Sequence, residues 1–114
     1  MVIELKKYGA ILTSRPAGRE AFNAIRPKLK QGGAVQVDFS GVIAVTPSWV
    51  DEFLSLLVVY ARGNVELLRT DNASVLSTFR VLAEAKQEPV ASLARRYLEN
   101  ETYMPKAKQR TRGF

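Results

Sequence analysis

The amino-acid sequence predicts an α/β layered domain: a small central sheet, mixed or parallel, flanked by about four helices. Three observations lead there. Strand-like stretches alternate with helical ones along the chain, the order that builds layered α/β domains. Helix-boundary signals fall at the joints, as at Thr46-Pro47, Gly63 and Glu88-Pro89. A chain of 114 residues with 46% apolar and 25% charged side chains suits one soluble domain with a real core.

Residues 2–12 read as a strand or a tight pair of strands, bending at Tyr8-Gly9. In TSRPAGREAFNAIRPKLK, the residues Ala21, Phe22, Ile25 and Leu29 keep helical spacing and Ser14 is placed to cap. Pro27 lacks a backbone donor and predicts a kink or fray in that helix. After the break QGGAV, Val35, Val37 and Phe39 alternate with Gln36 and Asp38, and residues 42–45 continue apolar. This reads as one central strand ending near Val45, with a bend or bulge at Ser40-Gly41.

Residues 49–62 form a helix that is apolar around most of its circumference, leaving Asp51, Ser55 and Arg62 as a narrow polar stripe. A helix of that kind is buried, or offers a face to a partner. Gly63 stops it. NVELLRT is a short strand, and DNASVLSTFRVLAEAK a helix capped by Asp71 or Asn72, with Val75, Phe79, Leu82 and Ala83 inward. The last helix opens at Glu88-Pro89, with Val90, Leu93, Ala94, Tyr97 and Leu98 on its apolar stripe and Arg95, Arg96 and Glu99 outward.

Charge divides the chain into a body, residues 1–104, and a tail, residues 105–114. The net charge is +6, and Lys106, Lys108, Arg110 and Arg112 place +4 of it in a tail without acids, leaving +2 on the body. With little apolar surface to bury, the tail is expected to be disordered. The N-terminal stretch MVIELKKYGAIL mixes an acid and two lysines into its apolar residues, unlike a secretory signal. The longest apolar run, LLVVYA, is far shorter than the roughly 20 residues that span a bilayer. The expected setting is the cytoplasm, without a membrane.

Cysteine and histidine are both absent, which removes the thiol nucleophile, the thiolate zinc site, the commonest general base and the commonest metal ligand. No dense carboxylate cluster replaces them, so neither metal nor cofactor is expected, and the protein reads as no enzyme. Asp51 and Glu52 are adjacent on a helix and so point about 100° apart, which fits a complement to the helix dipole better than paired acid–base work. Gly32-Gly33 lacks the surrounding pattern of a phosphate loop. Ser14, Arg15 and Arg19 could hold an anion at the first helix start, although a solvated basic face is the commoner use of such residues.

The joint Thr46-Pro47-Ser48-Trp49 stands apart. Threonine caps, proline suits the first helical position, and Ser48 falls among free N–H groups at the positive end of the helix dipole, where a phosphate is welcome. Capping alone explains both hydroxyls; a modifiable switch explains them too. Trp49 is read either as core or as partly exposed and contributing to a partner surface.

The stretch DFSGVIAVTPSW followed by a long apolar helix resembles the sheet-to-helix segment of STAS domains, the family of the anti-sigma-factor antagonists. In this likeness Asp38 matches the strand aspartate and Thr46 stands at the aspartate of the Asp-Ser-Ser-Gly motif. Pro47 takes the place of the first serine, Ser48 that of the second, and Trp49 that of the glycine. TSRPAGREA, VDFSGV and TPSWVDEFLSLLV together resemble still more closely the bacterial STAS-like domain of unknown function, over about residues 2–85. The resemblance implies a STAS-like layered fold and a non-catalytic regulatory module that binds another protein, a kinase-like ATPase or other regulator. It further implies phosphorylation at Ser48, with Thr46 beside it and Trp49, Asp51, Glu52 and Ser55 on the partner surface. The alternative reading is weak, largely sequence-independent nucleic-acid binding through Lys106, Lys108, Arg110 and Arg112. Oligomeric state is not legible.

Overall fold

The computed structural model describes residues 1–108, with side-chain surroundings for residues 1–100. In chain order these form β1 (Val2–Glu4), β2 (Ile11–Leu12), α1 (Arg15–Ile25), β3 (Val35–Asp38), β4 (Ala44–Val45), α2 (Pro47–Tyr60), β5 (Val65–Leu67), α3 (Ala73–Ala85) and α4 (Val90–Lys108). Turns of 3-10 helix lie at Leu5–Tyr8 and Arg26–Lys28. Strands β1, β3 and β5 form one sheet in the order β1-β3-β5, β2 pairs with β4 in a second, and every pairing is parallel. The fold class is α/β, and of the two sheet types the sequence allowed, the parallel one is found.

Across the larger sheet, Ile3 stands beside Val37 and Val37 beside Leu67, a row of buried side chains. The neighbouring row, Val2, Gln36 and Glu66, is not buried, and the Gln36 amide donates to Glu66 Oε1 at 3.0 Å. Because successive side chains of a strand point to opposite faces, this sheet buries one face and leaves the other to solvent. Right-handed crossovers that step in one direction across a parallel sheet carry their helices to the same face. Helices α1 and α2 therefore lie against each other on the buried side, where the rings of Phe22 and Tyr60 meet edge-on at 6.1 Å.

Residues 35–45 are not the single bulged strand that their alternation suggested. Strand β3 ends at Asp38, whose Oδ1 accepts the Ser40 N–H at 2.9 Å; the Val42 N–H then turns back to the Phe39 carbonyl at 3.1 Å, and Gly41 takes φ +86°. These local bonds compete with the ladder, so the chain leaves one sheet and enters the other as β4. Residues 2–12 break at the same level, with the Leu5–Tyr8 turn between β1 and β2 and Gly9 at φ +129°. The two interruptions pack together: a Cβ on Gly41 would lie 2.9 Å from Lys6 Cδ. Pairing then resumes, Ile11 beside Ala44 and Leu12 beside Val45.

The helix boundaries follow the local chemistry. The Ser14 hydroxyl accepts from the Ala17 N–H, and α1 gives way to the 3-10 turn at Arg26, just before Pro27. Helix α2 ends two residues before Arg62, which with Gly63 adopts positive φ. Of the two candidate caps for α3, Asn72 is the one used, its side chain accepting from the Val75 N–H at 3.0 Å. Helix α4 buries Val90, Leu93, Ala94 and Tyr97. The Tyr97 hydroxyl accepts the Thr70 N–H at 2.9 Å, and its ring meets Phe79, which in turn meets Phe39, at 5.0 and 5.6 Å. That aromatic chain ties α4 and α3 to the end of β3. Lys106 and Lys108 fall within the span assigned to α4, while residues 109–114, with Arg110 and Arg112, lie outside the described residues. Among the described residues, no helix is long and apolar enough to cross a membrane.

Candidate functional site

The joint between β4 and α2 is built around Thr46, which is still extended at φ −113°, ψ 153°. Its N–H donates to the Leu12 carbonyl at 3.0 Å, continuing the β2–β4 pairing, and its carbonyl accepts the Val50 N–H at 3.2 Å, opening the helix. Its hydroxyl accepts the Trp49 N–H at 3.4 Å and shares a 3.3 Å hydrogen bond with the Ser48 hydroxyl. One residue thus closes a strand and caps a helix, and Pro47 occupies the position that needs no donor.

The start of α3 locks the other edge of β4. The Ser74 hydroxyl accepts the Val45 N–H at 3.0 Å and donates to the Val45 carbonyl at 3.2 Å, standing in for a neighbouring strand. The Asn72 amide donates to the carbonyls of Val42 and Ile43. The joint is therefore held from three directions, by β2, α3 and its own cap. The half-buried Ser48 borders a groove of about 330 Å³ between the α2 start and the α3 end, with Arg15 on one wall and Leu82 and Gln87 on the other.

Asp51 and Glu52 do converge, although they leave the helix in different directions. The reach comes from α1: Arg15 Nη1 lies 2.8 Å from Asp51 Oδ2 and 3.1 Å from Glu52 Oε1, and Arg19 Nη2 lies 2.6 Å from Glu52 Oε2. The hydrogen bonds to Asp51 and then Glu52 hold the Arg15 guanidinium above its ordinary pKa. Between the two arginines in sequence stands Gly18, where a Cβ would lie 2.6 Å from the Trp49 carbonyl oxygen. The close backbone approach that glycine permits brings the arginines of α1 within reach of the carboxylates of α2. By sequence, Arg15 and Arg19 could hold an anion with Ser14, with a solvated basic face as the commoner use. Their spacing of four with a glycine between, opposite an Asp-Glu pair, was the signal for a helix–helix clamp.

Of the two readings left open for Trp49, core is the one found and partner surface is not: it is 2% accessible, stacked on Phe53 at 5.0 Å with its ring nearly parallel, because the first turn of α2 is pressed under α1. Glu52 is not open surface either: it is 9% accessible and holds both arginines. Ser55 is half-buried, and Asp38 closes the turn after β3 through Ser40, away from the joint. Those Ser40 bonds, the backbone one first, hold the Asp38 carboxyl below its usual value. Among the described residues there is no cluster of three or more His, Cys, Asp or Glu side chains able to hold a metal.

What fold and site define together is a small α/β domain, half-open on its sheet, with a serine at a tightly anchored helix start. Compared with known proteins, the chain matches no family model, no curated protein and no solved structure.

Proposed function

We propose that the protein is a non-catalytic, STAS-like interaction module whose control point is Ser48. The observation that carries this reading is the position of Ser48: half-buried at the first turn of a 14-residue helix, facing a groove that Arg15 also lines. A phosphate there would meet the positive helix end and a guanidinium that is half exposed. It would also compete with Asp51 for Arg15, so the modification would act on the α1–α2 clamp as well as on the surface around the joint. The buried Trp49 moves the partner surface away from the indole and onto Ser48, Ser55 and the rim of that groove.

The test measures partner binding and thermal midpoint together on Ser48→Ala and Ser48→Asp, with intact mass of material from the native cell. The reading expects Ser48→Ala to bind as the unmodified protein does, Ser48→Asp to lose affinity, and a phosphoserine mass to appear. Equal binding by all three forms, with no phosphoserine, would leave Ser48 as a first-turn residue only.

A further inference from the structure

We infer that the open edge of β5 and the neighbouring face of α4 form a docking groove for an extended acidic segment of another protein, which adds as a strand beside β5. This groove is separate from Ser48 and its case does not rest on the control point.

Strand β5 has β3 on one side and, among the described residues, no strand on the other. The Asn64 carbonyl accepts from Val35 and the Leu68 N–H donates to Val37, so the even-numbered residues turn their backbone groups toward β3. By strand alternation, Val65 and Leu67 turn theirs toward the open side. The Val65 N–H is taken by the Gly63 carbonyl, while no strand among the described residues stands beside Leu67 on its open side. Leu67 is nearly buried, so this stretch of edge lies in a sheltered place, the kind of edge on which a further strand can form.

A hollow of about 400 Å³ lies along this edge, between Val65, Leu67 and Arg69 on the strand side and Leu93, Arg96 and Tyr97 on the helix side. A second hollow, about 520 Å³, shares Leu93 and Arg96 with it and continues toward Val58 and Pro89. The space between a strand edge and a neighbouring helix is a form in which extended peptides are held by main-chain bonds, with side chains read by the flanking walls. Strand-edge bonds supply register, and Leu93 with the Tyr97 ring supplies an apolar wall.

Charge identifies the occupant. Arg69 and Arg96 both line the groove, and neither forms an ion pair among the described residues, whereas Arg15, Arg19 and Arg95 all do. Of the acids that line the two hollows, Glu66 has Oε1 engaged by the Gln36 amide and Glu88 is paired with Arg95. Residues 109–114 of the chain itself, QRTRGF, are basic and do not match such a groove. An acidic segment from another chain does.

The experiment uses a fluorescein-labelled octapeptide alternating Glu and Val, its C-terminus amidated, titrated against the full chain by anisotropy and by amide shifts in NMR. The expected result is saturable binding with shifts at Leu67, Arg69 and residues 93–100. Arg69→Glu and Arg96→Glu should each weaken it by about tenfold or more, while Arg26→Glu, a remote exposed arginine, leaves it unchanged. The shift map on the unaltered chain stands even if a variant folds poorly. The inference is overturned by no saturable binding, by equal binding of a control octapeptide with Lys in place of each Glu, or by shifts that fall elsewhere. It is equally overturned if an oligothymidine binds with the same arginine dependence and the peptide does not, or if the chain dimerises through β5 and the peptide fails to compete.

Discussion

A Cβ on Gly18 would lie 2.6 Å from the Trp49 carbonyl oxygen, closer than real Cβ contacts come. The obstacle is backbone at a helix start that Thr46 holds from both sides, so it has no soft way to give. Gly18→Ala should therefore destabilise, by about 1–3 kcal/mol as for overpacked cores, despite the better helix propensity of alanine. Urea unfolding of the two proteins reads this directly; an unchanged midpoint would mean that α1 and α2 can separate at no cost.

The chain has a single tryptophan, so its fluorescence reports Trp49 alone. Stacked on Phe53 at 2% accessibility, it should emit at short wavelength and resist iodide quenching. Emission near that of free tryptophan in water would contradict the packing.

Glu52 joins α2 to Arg15 and Arg19 while being nearly buried itself. Its partners are half exposed, which tempers the loss, so Glu52→Gln should cost roughly 1–2 kcal/mol. A double-mutant cycle with Arg19→Ala should show a non-zero coupling, weaker at high salt. Additive effects would show that the 2.6 Å contact contributes nothing to stability.

The Asp38 carboxyl, depressed by its bonds from Ser40, makes stability depend on pH in a known direction. A lowered native pKa means the unfolded chain binds the proton more readily, so the contribution is present above the unfolded value of about 3.8 and is lost as pH falls through the native one. Asp38→Asn should flatten part of the acid limb of the stability curve and leave neutral-pH cooperativity intact. An identical acid limb in both proteins would place the depressed carboxyl elsewhere.

Much of the architecture is set by local chemistry, and that part was readable along the chain. Ser14 and Thr46 cap where their side-chain oxygens meet first-turn donors, Pro27 ends α1, and the stripe Val90, Leu93, Ala94 and Tyr97 faces inward because helical periodicity alone decides it. The break after Asp38 was harder to see. Ser40-Gly41 looks, in sequence, like a bulge within a strand; in the structure local bonds close a turn there and the chain resumes pairing beside β2, a partner that only the tertiary structure supplies. Strand direction was likewise open until the crossover helices took their side of the sheet. At the candidate site, the hydroxyls of Thr46 and Ser48 were legible from the Thr-Pro-Ser order. The clamp of Arg15, Arg19, Asp51 and Glu52 was marked only by the spacing of the two arginines about Gly18, because its two halves lie more than 30 residues apart and meet only through the close approach there. Trp49 shows the same division: its place at the helix start follows from sequence, but whether it faced solvent or core was decided by which helix came to lie over it.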